Sequence, residues 1–322
     1  MGKYDTWVDG YLLETDYGTS LIANTNTQTY SLGILHDDAI HPSPKSSVIY
    51  AGTGVNSQEV PVGSLWKGPE DLRGSYNLIL QNGILFYLVM GGSTTAASIH
   101  TIIPNPASPL PSITIQHDLT DSAAVSTDWG TQYKGVKVTK LELNCSFETQ
   151  QLWAGVDWVA QTSSKQAFVS TNAPVLPTTA TASSYLFGSM TATFDSVSFR
   201  DGLIDLQLTI SPELLIWRDS TRTIPEPIDG GRKKYQLVFH HTPADSTFWE
   251  EAAATGNTKD IVLKWTKSTN DYIQITLSDV QVLYHEQKSP TIGQALVEEV
   301  ICEARAVSIA VKDTITAGFY GE

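Results

Sequence analysis

The densest group of metal-capable side chains is His36, Asp37, Asp38 and His41, where imidazoles at i and i+5 with two carboxylates between them could reach one ion. No second His, Asp or Cys group follows at a ligand spacing. A polar loop bounded by prolines also carries acids simply to stay hydrated, so the group reads as a solvated loop and no metal is assigned. His240 and His241 are neighbours in an alternating run, which sends them to opposite faces of a strand, and His100, His117 and His285 stand alone. Neither G-x-S-x-G nor G-x-x-x-x-G-K-[ST] occurs, so no nucleophile elbow or phosphate loop is present. Glu250–Glu251 and Glu298–Glu299 fall at helix-start or solvent-facing positions, where ordinary acids are expected. Trp153 and Trp158 differ by an odd number of residues and face opposite ways, so they make no continuous platform for sugar stacking. Asn144-Cys145-Ser146 is a glycosylation sequon by letters, inside an alternating run. No constellation for enzyme chemistry assembles, and no cofactor is expected.

Composition narrows the partners. Among 322 residues, 34 are acidic and 20 basic, a net charge of −14, with a pI near 4.8. A surface that grips phosphates concentrates Lys and Arg, and no basic run occurs. Charged residues make up 17% of the chain, below the roughly 25% of an ordinary soluble domain, so Ser, Thr, Asn, Gln or a partner must cover much of the surface. The two cysteines, Cys145 and Cys302, both sit in apolar alternation and are expected as buried thiols. The amino terminus has no basic then apolar leader, and no apolar run reaches membrane-span length. "MGKYDT" fits the myristoylation pattern at Gly2 and Thr6, a pattern short enough to arise by chance.

The elements that must position these residues are strands. "LIDLQLTI" turns Ile204, Leu206, Leu208 and Ile210 inward and Asp205, Gln207 and Thr209 outward. Further strands are expected at 112–117, 152–161, 191–199, 235–241, 261–267 and 298–313. In "YKGVKVTKLELNCSFETQQLWAGVDWVAQ" the apolar set moves from Val136 and Val138 to Leu141, Leu143, Cys145 and Phe147. Both sets face one core only if an extra residue near Thr139 and Lys140 bulges from the ladder. "YIQITLSDVQVLYHEQ" repeats the slip near Ser278 and Asp279, between Ile273, Ile275, Leu277 and Val280, Val282, Tyr284. "QNGILFYLVMGG" (81–92) is apolar all round; Asn82 before it and paired glycines after it favour a short buried helix. "ADSTFWEEAAATG" has capping-box spacing at Thr247 and Glu250 and a stop at Gly256. Residues 33–69, 101–111 and 217–234 read as irregular, and loops of that length usually touch something.

In order, "ETDYGTS" (14–20), "EDLRGSYNLILQNGILFYLVMGG" (70–92), "LPSITIQHD" (110–118), the bulged pair from Tyr133 to Gln161, "LIDLQLTISPEL" and "RTIPEPIDGGRKKYQLVF" resemble the tail tube proteins of tailed bacteriophages and tailed archaeal viruses, across about residues 7–285. The resemblance implies a mainly β fold: a β-sandwich or curved antiparallel sheet with one or two short helices and long inter-subunit loops. It also implies one domain over 1–322, with an N-terminal arm (about 1–20), a long loop (about 33–69) and a C-terminal extension (about 286–322).

The function expected from it is that of a virion structural protein, not an enzyme. Six copies would form each ring, and stacked rings a hollow conduit for DNA ejection. The partners implied are the chain itself and tape measure, tail terminator and baseplate proteins. DNA would pass without specific binding, and no membrane is involved; the site would be the virion tail, after synthesis in the host cytoplasm. Glu142, Asn144, Ser146 and Glu148, opposite the apolar face, are the lumen candidates. Tyr17, His36, Asp37, Trp66 and Tyr320 are the inter-subunit contact candidates. The competing expectation is a carbohydrate-binding or adhesin-like β-sandwich of a baseplate or fibre, which calls for coplanar aromatics or a calcium loop.

Overall fold

Where the alternation slips, the ladder gains a residue. In the computed structural model Asp157 pairs with Lys140 and Trp158 with Val138, so Thr139 is the extra residue. With it bulged out, Val136 and Val138 share one core with Leu141, Leu143 and Cys145, all buried. The second slip lies where the sequence places it: Ile261 pairs with Leu277 but Lys259 with Val280, and Asp279 takes a positive φ of 53°; Val280 and Val282 are buried as expected, but a further bulge at Leu283 turns Tyr284 outward. The structure describes residues 4–18, 30–31, 41–42, 45–50, 65–105, 109–121, 129–167, 184–217, 226–242, 258–288 and 297–313.

In chain order the elements are β1 (Tyr4–Leu13), β2 (Tyr30–Ser31), β3 (His41–Pro42), β4 (Lys45–Tyr50), β5 (Leu65–Ile79), α1 (Ile84–Met90), β6 (Gly91–Ala96), β7 (Ile99–Pro104), β8 (Ile113–Asp121), β9 (Trp129–Ser146), β10 (Trp153–Ala160), β11 (Thr162–Ala167), β12 (Met190–Phe194), β13 (Val197–Ser198), β14 (Leu203–Leu215), β15 (Ile228–His241), β16 (Lys259–Ser268), β17 (Asp271–Lys288) and β18 (Val297–Lys312). All pairings are antiparallel. The main run reads β5, β10, β9, β14, β15, β18, β17, β16, β12, β13 across the sheet. Two long strands carry the bends. The first half of β9 pairs with β8 and β11, its second half with β14 and β10. β18 pairs with β17 throughout, and on its other side with β15 and then β7.

The bends are matched between partners. As β17 slips at Asp279, β18 slips too, its buried set passing from Val300, Cys302 and Ala304 to Val307, Ile309 and Val311. Register between the two is kept across the slip, Ser278 facing Ala306 and Val280 facing Ala304. Arg305 and Asp279 close the kink with a 2.7 Å ion pair. Paired bulges turn the sheet without breaking it.

α1 confirms the helix expected within 81–92. Its apolar circumference follows from its position: Ile84, Leu85, Phe86, Leu88, Val89 and Met90 are all buried, packed toward β6, β7, β9 and β14. The Asn82 side chain accepts the Ile84 N–H at 3.1 Å. Gly91 ends the helix in the left-handed region at φ 87° and donates to the Tyr87 carbonyl. Gly74 is also required for packing, since a Cβ there would lie 2.1 Å from the Trp158 indole.

Several expectations change. Phe147 is 67% exposed, because β9 ends at Ser146 and a turn begins. Ile204 is the bulged residue between the pairs Leu203–His241 and Asp205–His240, so Leu203 takes its inward place. The irregular segments are partly ordered ladder: β3, β4 and the start of β5 lie within 33–69, the end of β7 within 101–111, and β15 begins inside 217–234. The N-terminal arm contains β1, paired with β8, and the C-terminal extension contains β18, the strand shared by β15, β17 and β7. The helix expected at 244–256 lies outside the described residues. Cys145 and Cys302 are buried free thiols, as expected. Burial pushes them up to about 11 and about 12 respectively.

Candidate functional site

Seven strands, β5, β10, β9, β14, β15, β18 and β17, bury their inner side chains in the core and turn outward a face on which two polar rungs flank a largely apolar one. Register aligns that face into rungs. One rung reads Asn77, Gly155, Glu142, Thr209, Gln236, Glu303, Gln281, and the next Ile79, Trp153, Asn144, Gln207, Val238, Ile301, Tyr284. A third reads Ser146, Asp205, His240, Glu299, Glu286. These three rungs hold five carboxylates and no Lys or Arg. Basic side chains gather one level nearer the bend, as Lys140, Lys234 and Arg305. Lys140 is bridged to Glu142 at 2.6 Å and Arg305 to Asp279.

Glu142 is tied into this face. Partial burial disfavours its charge, but hydrogen bonds from Lys140, Asn144 and Gln207 outweigh that and hold the carboxyl below its usual value. The bond from Asn144 is 3.1 Å. The same contact with Glu142 raises Lys140. Of the lumen candidates, Glu142, Asn144 and Ser146 therefore share the polar face, while Glu148 is exposed in the turn beyond it. In that turn Ser146 accepts the Thr149 N–H at 3.0 Å.

The face ends in open margins. β16 follows β17 only as far as Val280, and among the described residues no strand pairs with the outer edge of 281–288. Leu283 (53% exposed) and Tyr284 (43%) lie on that margin. On the far side, β3 covers the outer edge of β5 at Gly74 and Ser75, and no described strand pairs there with 76–79.

Of the contact candidates, Tyr17 is half-buried in the turn after β1, where burial first, then Glu14 and Glu226, raise its hydroxyl well above the ordinary range. Trp66 lies in the backbone of β5. His36, Asp37 and Tyr320 lie outside the described residues. Tyr17 belongs to a clamp that periodicity conceals. Lys137 is fully buried on the outer side of β9, with its ammonium 2.7 Å from Glu226 and 5.3 Å from the Tyr17 ring centre. Desolvation lowers it, partly offset by Glu226, Asp229 and Glu14. Glu14 in turn accepts the Gly135 N–H at 3.0 Å and the Thr114 hydroxyl at 2.7 Å.

Two further polar groups lay outside any local pattern. Thr95 Oγ1 lies 2.5 Å from His100 Nδ1, and His100 Nε2 lies 3.2 Å from Asp313, so a hydroxyl, imidazole and carboxylate in line tie the β6–β7 hairpin to the end of β18. His285 Nε2 lies 3.6 Å from Glu298, both buried, which corrects the solvent-facing placement of Glu298. His240 and His241 do point to opposite faces. His240 Nδ1 donates to Asp205 at 2.7 Å, while His241 Nε2 donates inward to the Phe199 and Asp201 carbonyls. Among the described residues no group of three or more His, Cys, Asp or Glu side chains is arranged to hold a metal ion, and no helix is long and apolar enough to cross a membrane.

No family model matches the chain, and no curated protein matches it. Among solved structures, the chain aligns with the crystal structure of the Ralstonia pickettii toluene transporter TbuX at 9% identity, over 96% of this chain and 78% of that one, with a TM-score of 0.09. At that score the alignment carries no argument about fold or function.

Proposed function

We propose that the chain is a virion structural protein, the repeated subunit of a viral tail tube assembled from hexameric rings. The observation that supports this reading is the bent seven-stranded sheet, with two polar, acidic rungs on its outward face and a stretch of unpaired edge at each margin. An open edge presents unpaired N–H and C=O groups that another strand can satisfy, and a closed ring of copies removes every such edge. Matched bulges supply the curvature a sector of a cylinder needs. The five carboxylates on three rungs suit a wall that DNA must slide past. In a ring of six the total charge is 6 × −14 = −84. Phosphate meeting such a wall is repelled over roughly 8 Å at physiological salt. Glu142, Asn144 and Ser146 would face the bore, and tape measure, terminator and baseplate proteins would be the partners at its ends.

Sedimentation velocity tests the reading. The wild-type chain at high concentration should run as rings or tubes, far larger than its 35.1 kDa monomer. Leu283→Lys, which places a charge on the open margin of β17, should run as a monomer with an unchanged melting temperature. A wild-type chain that stays monomeric at every concentration contradicts the proposal.

A further inference from the structure

The apolar side chains of the middle rung are not spread evenly along it. Ile79 of β5 and Trp153 of β10 stand at one end, Val238 of β15, Ile301 of β18 and Tyr284 of β17 at the other, and the amides of Asn144 and Gln207 hold the centre. Leu283, bulged out of the ladder beside Tyr284, adds to the second end and is 53% exposed. A face that closed on a partner of its own breadth would be apolar at its centre and polar at its rim. Here the order is inverted. The apolar ends coincide with the two margins where, among the described residues, no strand pairs with 76–79 or with the outer edge of 281–288. Five strands separate these ends within one copy, but two copies laid side by side join them into one apolar patch, with Gln281 and Asn77 at the same level on the polar rung next to it.

We infer that copies of this chain join head to tail, the β17 margin of one against the β5 margin of the next, through a parallel pair of strands. The direction follows from parity. Six antiparallel pairings lead from β5 to β17, so the two end strands run the same way. Asn77 to Ile79 on β5 and Gln281 to Tyr284 on β17 both climb from the first rung to the second. Rotation about a ring axis carries the sheet sideways and keeps that direction, so every seam is parallel although every pairing within the chain is antiparallel. Two-fold pairing would instead set β17 beside β17 and leave the apolar end on β5 unmatched. A parallel pair is slightly less stable per residue than an antiparallel one, and β3 already covers β5 at Gly74 and Ser75, so the main chain bonds only over 76–79 and the apolar patch supplies the rest. The seam rests on the tail-tube reading for its ring and adds to it the partner strand, its direction and the side chains that meet.

Cysteine trapping in assemblies of the full chain reads the direction. Neighbouring strands lie about 4.8 Å apart, inside the Cα separation a disulfide spans, whereas a partner one rung away lies at about 8 Å, outside it. Asn77→Cys and Ile79→Cys are each co-assembled with Gln281→Cys, Tyr284→Cys or Glu286→Cys and oxidised. All five positions lie on the outward face, and the native Cys145 and Cys302 are buried. Position 77 should link to 281 and 79 to 284 or, with neighbouring copies staggered by one rung, 77 to 284 and 79 to 286. In both cases the residue linked to 79 lies beyond the residue linked to 77, and Leu283→Lys added to the β17 partner should abolish the links. Should Ile79→Cys fail to fold, electron cryo-microscopy of the wild-type assembly reads the strand direction at the seam instead. The reversed order, 77 to 284 with 79 to 281, links between β17 and β17 alone, or an assembly with no links each overturn the seam without overturning self-assembly. A wild-type chain that stays monomeric overturns the seam and the tail-tube reading together.

Discussion

Deleting Thr139 is the sharpest perturbation of the fold, because one residue sets the phase of an 18-residue strand. Without the bulge β9 alternates without interruption from Val136 to Ser146, and the residues on one side of Thr139 must turn over. If the segment before it turns, Val136 and Val138 leave the core and the Lys137 ammonium enters it. If the second half turns, Leu141, Leu143 and Cys145 are expelled. Burial of each such side chain contributes about 1.5–3 kcal/mol, so either choice costs on the order of 5 kcal/mol before any charge is counted. That is comparable to the whole stability of many domains, roughly 5–15 kcal/mol. At roughly 2–4 °C per kcal/mol for a large domain, the deletion should lower the melting temperature by on the order of 10–20 °C or prevent folding. Thr139→Ala, which keeps the extra residue, should stay within about 1 kcal/mol of wild type. Calorimetry or circular-dichroism melts of the three chains decide it. A deletion variant that melts with the wild type would show that the bulge does not hold the two halves in phase.

Other outcomes follow from particular contacts. Gly91→Ala forces a Cβ into the left-handed region, 3.1 Å from Leu110 Cδ2, and should cost about 1–2 kcal/mol in denaturant melts. Glu226→Gln leaves the buried Lys137 ammonium without its nearest counter-charge; Glu226 is 42% exposed and water screens the pair, so the loss should be about 1–2 kcal/mol rather than the larger cost of a fully buried one. Burial lowers Lys137, so the folded chain binds fewer protons than the unfolded chain in the interval just below the ordinary lysine range, and stability should rise with pH there. Lys137→Met should flatten that rise. With Cys302 pushed up to about 12 from an ordinary 9.0, its thiolate fraction at mildly alkaline pH falls roughly a thousandfold, so thiol reagents should label it only as the chain unfolds.

Legibility from the sequence tracked the range of the interaction. The bulges at Thr139 and Asp279 could be read because each breaks a period-two pattern within a few residues, and the short helix because Asn82 and the Gly91–Gly92 pair punctuate an apolar run. Phe147 misled because alternation continues one residue past the point where the turn takes over. Ile204 misled because a bulge at a strand start moves the inward place to Leu203, a residue as apolar as the one it replaces. Lys137 sits on an outward-facing position by period, and only the 226–229 segment and the Tyr17 turn, far away in the chain, bury it. The pairing of His285 with Glu298 and the contacts of His100 with Thr95 and Asp313 likewise depend on which strands become neighbours, which no local spacing records. The polar face was half legible: Glu142, Asn144 and Ser146 came from alternation, while Glu303, Glu299 and Asp205 joined them only through register.

Electron cryo-microscopy of the concentrated chain addresses the tail-tube proposal most directly. The expected result is six-fold rings or stacked tubes, with β17 and β5 of adjacent copies side by side and Glu142, Asn144 and Ser146 lining the bore. Isolated monomers, or an assembly whose inner wall is built from another surface, would contradict it.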